Sequence, residues 1–319
     1  MKVLITGAGM VGTYAAAELV ARGDTVTLVD LRPDADYVRR VAGPEVRTRT
    51  VDVRELPDLV AAVDEAAPDV VLHTVAILSG VAQASPYRGF QINVVGTINV
   101  AEAVRLAGVR RLVHASTLGV HRLQSPQEKA LDEDFPIGGA TRIYPATKVA
   151  AEALLPAFAN AYGFELVMLR FPSLYGYGQY AGGSGMGLAI SALAAAALDG
   201  RPGTITSGLG ETDEIGYVKD VARGVAAAIH ADALQHTVYH LGTGKLSTSQ
   251  DVVAAFAKIV PGFSATRNEP AKEAAIRRQP MDNSRARTEL GYEAKYDLVS
   301  GLTDYLTVLR AARADQGAK

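Results

Sequence analysis

Along the first half of the chain, short apolar runs alternate with longer stretches whose apolar residues recur at helical spacing. The runs at Lys2–Thr6, 25–29, 46–53, 70–77, 111–116 and 164–171 each carry at least two Val, Ile or Leu residues. They read as strands, the one at 70–77 as a buried strand. The stretches between them, from Met10 to about Arg22 and over 55–67, 86–108 and 144–162, read as helices. This alternation places the strands side by side in one sheet, with helices on both faces. Past Phe171 the pattern loosens. Helices are expected over 188–198, 220–230, 247–259 and 298–310, and a strand at 238–241 returns to the main sheet. The expected fold class is α/β, doubly wound around a mostly parallel sheet, with a smaller interleaved C-terminal lobe. Residues 1–171 form most of the sheet domain and 215–245 contribute to it; 172–214 and 246–313 build the lobe, and 314–319 fray.

The turn after the first strand is Gly7-Ala8-Gly9-Met10-Val11-Gly12. Between a strand and a helix, this spacing marks a Rossmann-type dinucleotide site. Gly7 allows the tight turn, Gly9 admits a pyrophosphate close to the backbone, and Gly12 lets helix and strand approach. Phosphates then meet free amides at the positive end of the helix. Asp30 ends the second strand, where a carboxylate accepts from ribose hydroxyls and repels a 2′-phosphate, so NAD is expected rather than NADP. Arg32 reads as a solvated loop arginine. Asp52 and Val53 end the third strand, where the acid meets the adenine amino group.

Composition excludes more than it identifies. Acids and bases nearly cancel, 34 against 32, so no nucleic-acid or anionic-membrane partner is expected. There is no cysteine, which rules out disulfides, thiolate catalysis and cysteine metal sites. The apolar run 188–198 is too short to span a bilayer, and Met1-Lys2 leads straight into a strand, leaving no room for a signal peptide. A cytoplasmic protein is the expectation. His73 and His114 fall inside strands and read as core residues. His236 and His240 have a ligand-like spacing, and no metal is expected. Six glycines within 176–187 make either a plain loop or a lid over a substrate.

Tyr144-Pro145-Ala146-Thr147-Lys148 opens an alanine-rich helix. A Tyr and a Lys four apart share one helix face. An ammonium beside a phenol lowers the phenol's pKa, which suits Tyr144 to moving the proton of an alcohol near neutral pH. The Thr117 hydroxyl lies at the carboxyl edge of the sheet, where open α/β sheets bind ligands.

Gly7-x-Gly-x-x-Gly12, Asp30, Asp52-Val53, Asn93-Val-Val-Gly-Thr, Ser116-Thr117 and Tyr144-x-x-x-Lys148 occur in the order of the extended short-chain dehydrogenase/reductases, the NAD-dependent epimerase/dehydratase family. Arg170-Phe-Pro-Ser-Leu-Tyr-Gly176, Tyr217-Val-Lys-Asp-Val-Ala222 and Gly242-Thr-Gly244 extend the resemblance over nearly the whole chain. The glycine turn is one residue shorter than the family usually has. The resemblance implies a triad: Tyr144 takes the alcohol proton, Thr117 holds the substrate oxygen, and Lys148 binds the nicotinamide ribose and lowers the tyrosine's pKa. It implies NAD contacts from Gly7, Gly9, Met10, Val11, Gly12, Asp30, Asp52, Val53, Thr74, Val75, Ala76, Asn93, Tyr144, Lys148 and Phe171. It implies substrate contacts from Ser79, Thr117 and Ser173, and a homodimer through the helices at 86–108 and 141–162.

Absences within the family pattern narrow the reaction. Leu118-Gly119 follows the threonine where dehydratases carry an Asp-Glu pair. Nucleotide-sugar epimerases usually hold the diphosphate with an arginine before the Tyr217 motif, whereas this chain has Glu211-Thr212-Asp213-Glu214. Three acids there would repel a diphosphate. Ala76-Ile-Leu-Ser79-Gly80 and Met281 to Tyr292 resemble the L-threonine 3-dehydrogenase branch and related sugar-acid dehydrogenases. The expected function is therefore NAD-dependent oxidation of a small, polar, non-nucleotide alcohol. The alternative is a nucleotide-sugar epimerase whose diphosphate cation comes from elsewhere, with Arg277, Arg278 and Arg285 as candidates. A nucleotide sensor without catalysis would commonly lack the tyrosine or lysine, and both are present.

Overall fold

The computed structural model describes residues 1–122, 129–178, 185–205, 212–267 and 279–317. Its strands are β1 (Lys2–Thr6), β2 (Thr25–Asp30), β3 (Arg47–Thr50), β4 (Val70–His73), β5 (Arg111–Thr117), β6 (Glu165–Phe171), β7 (Ser173–Tyr175), β8 (Gly203–Ile205), β9 (Asp213–Tyr217), β10 (Val238–His240), β11 (Leu246–Ser247) and β12 (Ala265–Arg267). The helices are α1 (Met10–Ala21), α2 (Ala35–Ala42), α3 (Leu56–Ala66), α4 (Ser79–Ala84), α5 (Pro86–Phe90), α6 (Gly96–Leu106), α7 (Ile143–Tyr162), α8 (Gly185–Leu198), α9 (Val218–His230), α10 (Ser249–Ile259), α11 (Ser284–Leu290) and α12 (Leu298–Gly317).

Seven strands form one sheet in the order β3-β2-β1-β4-β5-β6-β10, and every neighbouring pair is parallel. The order reverses between β1 and β4. In a doubly wound sheet this opens a crevice beyond the carboxyl ends of those two strands. Alternation along β1 divides the core: Val3 and Ile5 join Leu19 and Ile229 beneath α1 and α9. Leu4 joins Leu59, Val104 and Leu155 beneath α3, α6 and α7. Each such large side chain, fully buried, contributes about 1.5–3 kcal/mol.

The smaller lobe has two short sheets, β11-β9-β7 and β12-β8. Ile190, Leu193, Phe256, Leu302 and Leu306 form its core, and Tyr14 of α1 joins them, so the lobe and the main domain share packing.

Several elements depart from the expected pattern. The helix over 86–108 is a continuous rod in which a π-helical turn, Gln91–Val95, separates α5 from α6 and carries the fully buried Asn93. The strand expected over 70–77 stops at His73, because Thr74 turns its hydroxyl onto Thr6 O at 2.8 Å and Gly7 O at 3.2 Å. Helix α2, capped by Asp34, was not apparent from the pattern because it buries only Val38 and Ala42. The helix expected from 188 begins at Gly185, and α12 runs to Gly317, into the stretch expected to fray. Half of the proposed lid, residues 179–184, lies outside the described residues. Among the described residues, no helix is long and apolar enough to cross a membrane.

Candidate active site

The loop after β1 admits only glycine at two points. Gly7 has φ +102°, and a Cβ there would lie 2.5 Å from Thr74 Oγ1; one on Gly12 would overlap Gly7 O. A Cβ on Gly9 would meet nothing within 4 Å. Gly9 thus faces open space beside the first turn of α1, which has no side-chain cap. Uncapped amides at a helix start suit an anion, so the loop fits a dinucleotide pyrophosphate. Asp30 accepts from Ala8 N and Arg32 N, each at 2.9 Å. The short glycine turn is therefore braced by the same acid expected to meet a ribose.

The other expected cofactor contacts border this crevice or support it. Met10 and Val11 are half-buried at the start of α1, and Val75 and Ala76 are half-buried beyond β4. Asp52 is bonded by the Arg54 guanidinium, Nε lying 3.0 Å from both oxygens, which lowers its pKa. Val53 packs beneath Gly96, where an added Cβ would lie 2.7 Å from its Cγ2. Asn93 uses its amide internally: Oδ1 accepts from Ile77 N at 2.9 Å, and Nδ2 donates to Ile77 O and Thr147 Oγ1, each at 3.0 Å. This braces the loop after β4 against α7. Phe171 is buried at the end of β6.

Tyr144 stands in the first turn of α7, and Lys148 follows one turn later. Lys148 is 2% exposed and donates from Nζ to Ala115 O at 2.7 Å. Two residues on, Thr117 ends β5, half-buried, and its Oγ1 accepts from Gly119 N at 3.1 Å. A Cβ on Gly119 would lie 3.5 Å from both Pro145 Cγ and Thr117 Oγ1, so the threonine hydroxyl and the first turn of α7 flank one point. Burial pushes the Lys148 ammonium down to about 8, against the opposing pull of Glu152. Ser79 heads α4, whose Gln83 side chain accepts from Ile143 N at 3.2 Å, so α4 abuts the start of α7.

The neighbouring histidines do not supply an acid or base. His73 lies between Thr6 Oγ1 at 2.6 Å and Thr97 Oγ1 at 2.9 Å, and burial followed by Lys148 pushes its pKa down to about 3. His114, also buried, is held well below its ordinary value for the same reasons. His236 has an acidic neighbour that sequence distance concealed, Glu289 of α11. His240 instead meets His121, Nε2 to Nε2, at 2.9 Å.

The acidic stretch before β9 needs a correction. Glu211 lies outside the described residues. Asp213 Oδ2 accepts from Ser173 Oγ at 2.8 Å, which places one acid beside an expected substrate residue. Glu214 does not join it. It is fully buried, and its carboxylate receives the amides of Thr243 at 2.5 Å, Gly244 at 2.9 Å and Met281 at 2.7 Å. Strand alternation sends adjacent side chains to opposite faces, so Glu214 clamps the Gly242-Thr243-Gly244 turn rather than facing a substrate. Arg285 is also committed elsewhere, with Nη2 bonded to Asp134 at 2.7 Å. Arg277 and Arg278 lie outside the described residues.

Sequence reasoning missed Glu152 and treated Arg170 only as the start of a motif. The two form a buried ion pair at 2.6 Å behind Lys148. The available signal was spacing, since Glu152 continues the Tyr144–Lys148 helix face by another four residues.

Comparison with known proteins agrees along the whole chain. The family described as NAD dependent epimerase/dehydratase matches residues 3–242. A UDP-glucose 4-epimerase from Mycolicibacterium smegmatis is 30% identical, over 97% of this chain and 99% of its own. The structure of UDP-glucose 4-epimerase from Thermus thermophilus in complex with NAD superposes with a TM-score of 0.84, at 27% identity over 98% of this chain and 100% of the other. An L-threonine dehydrogenase from Cupriavidus necator has a TM-score of 0.85 over 97% of this chain and 100% of its own; at 24% identity that likeness is one of fold.

Proposed function

The chain belongs to the NAD-dependent epimerase/dehydratase family, and from that premise we propose that it is an NAD-dependent epimerase inverting one secondary alcohol of a nucleotide sugar. The observation that carries this reading is the end-to-end match to a UDP-glucose 4-epimerase, with 97% and 99% of the two chains aligned. The expectation of a small non-nucleotide alcohol loses part of its basis, since Glu214 is fully buried and bonded to the amides of Thr243, Gly244 and Met281.

The chain's own residues divide the work. Gly7 to Gly12 and the start of α1 hold the pyrophosphate, while Asp30 accepts from the adenosine ribose. Bound nicotinamide supplies the acceptor of the substrate's hydride and its donor for the return. Tyr144, at its phenolic oxygen, takes the hydroxyl proton as the carbinol becomes a ketone, and gives it back when the opposite face is reduced. Thr117 hydrogen-bonds the substrate oxygen and sets its distance from Tyr144. Lys148 binds the nicotinamide ribose and favours the phenolate.

A second reading, a dehydrogenase that releases NADH, is favoured by one observation: Asp213, beside Ser173, puts an acid near where the family resemblance expects a diphosphate-binding arginine. Incubating the protein with NAD and UDP-galactose separates the two. Conversion to UDP-glucose without free NADH supports the epimerase. Absence of conversion, together with NADH accumulating from a sugar acid or amino alcohol, overturns it in favour of the dehydrogenase.

A further inference from the structure

Behind the Tyr144–Lys148 pair lies a buried charge cluster that the proposed reaction does not use. Glu152 is one turn beyond Lys148 on α7, its side chain 1% exposed, and Arg170 of β6 faces it, 4% exposed. Arg170 donates to it from Nε at 3.0 Å and Nη2 at 2.6 Å, and Ser116 Oγ donates to Glu152 Oε1 at 2.5 Å. Ser116 and Arg170 are register partners across β5 and β6. Three consecutive residues of β5 are thus tied to the site: Ala115 O holds Lys148, Ser116 holds Glu152, and Thr117 presents its hydroxyl. Arg170 is held in turn, with Nη1 donating to Glu133 O at 2.8 Å.

Stability alone does not account for this cluster. A buried ion pair is no better for stability than well-packed apolar side chains of the same volume. Its position beneath Lys148 gives it a use. An ammonium taken out of water tends to lose its proton, and a neutral amine would no longer favour a phenolate at Tyr144. The titratable groups that helix spacing and electrostatic influence place near Lys148 are Tyr144 and Glu152 on its own helix, His73 of β4 and His114 of β5, with Arg170 of β6 paired to Glu152. Burial keeps both histidines neutral. Among these groups, Glu152 is the acid that acts on Lys148, opposing the effect of burial.

We infer that Glu152, held by Ser116 and Arg170, is a positioning residue that keeps Lys148 an ammonium beneath Tyr144; this rests on the reading of Tyr144 and Lys148 given above. Glu152 touches neither substrate nor cofactor and acts through Lys148 alone. Arg170 anchors the carboxylate and limits how strongly it binds the lysine's proton.

The test is the pH dependence of NAD affinity, measured calorimetrically from neutral to alkaline pH, because Lys148 as an ammonium binds the nicotinamide ribose. In the wild type, affinity falls where Lys148 loses its proton. Glu152→Gln removes the charge at constant shape and is expected to move that fall to lower pH by about one unit, a tenfold change in proton affinity. Glu152→Asp keeps the charge and leaves the fall in place. Arg170→Gln, which frees the carboxylate for Lys148, moves it to higher pH. These opposite signs are not expected from simple loss of structure. Uniform loss of affinity at every pH in Glu152→Gln, without a shift, overturns the inference. If that variant does not fold, the direction of the Arg170→Gln shift decides. Undiminished NAD affinity in Lys148→Met would show instead that the reading of Lys148 is at fault.

Discussion

Tyr144 is a phenol one helical turn from a buried ammonium, and that juxtaposition sets the expected effect of each substitution. Tyr144→Phe keeps the ring and removes the proton carrier, so turnover should fall by about 10²–10⁴-fold with NAD affinity nearly unchanged. Lys148→Met should lower both turnover and NAD affinity, because in the proposed mechanism the same ammonium serves phenol and ribose. Steady-state kinetics paired with NAD titration checks the contrast, and substantial turnover in Tyr144→Phe would disprove the proton path. At the other end of the proposed cofactor site, Asp30 is the acid proposed to accept from the adenosine ribose, with the main-chain amide of Arg32 already bonded to it. NAD should bind at least about tenfold more tightly than NADP, or about 1.4 kcal/mol. Equal calorimetric affinities would mean that the Arg32 side chain neutralises the acid toward a 2′-phosphate.

At the scale of elements, the residues that join one segment to the next matter most. Asn93 occupies a π-helical turn and ties the loop after β4 to α7 through Ile77 and Thr147. Glu214 does the same between β9, the turn after β10 and the segment leading to α11. In Glu214→Gln an NH₂ group must face amides that are themselves donors. Leaving donors unsatisfied in a buried site costs about 1–3 kcal/mol, which urea unfolding should report. NAD affinity should be unaffected, since the clamp bonds none of the residues expected to hold the cofactor. An unchanged urea midpoint would mean that the three amides find other acceptors.

Two predictions belong to the whole molecule. The buried histidines His73, His121 and His240 are pushed down by burial to about 3, 4 and 2, and His114 is pushed down as well. Below their ordinary value of 6.5 the unfolded chain takes up protons that the folded chain does not. The sign follows: stability is greatest above that value and falls as pH drops from about 6.5 toward about 4. Each such histidine contributes up to about 1.4 kcal/mol per pH unit. Urea midpoints that stay level over that range would contradict it. The second prediction concerns assembly. Tyr87, Phe90 and Leu106 on the α5–α6 rod and Tyr162 on α7 are 73, 50, 52 and 54% exposed. Large exposed apolar side chains on neighbouring helices suit association. We propose that these helices pair with their twofold mates in a homodimer, and sedimentation showing a monomer at micromolar concentration would refute it.

What the sequence determined by itself was local and periodic. The strand–glycine–helix unit, the acid at the end of β2 and the four-residue interval from Tyr144 to Lys148 each arise within a single element or one turn. Their spacing therefore carries their geometry, and the parallel sheet follows from the alternation of strands and helices. What only the tertiary structure decided depended on the direction of side chains and on partners distant in sequence. Glu214 stands next to Asp213 in the chain, yet strand pleating directs it inward to the amides at 243, 244 and 281. The acidic neighbour of His236, Glu289, lies 53 residues away in sequence and arrives only with α11. Glu152 acquires its partner only when β6 places Arg170 opposite it. Spacing along a chain records which residues share a face of one element; which face becomes buried, and against what, is set only when the elements pack.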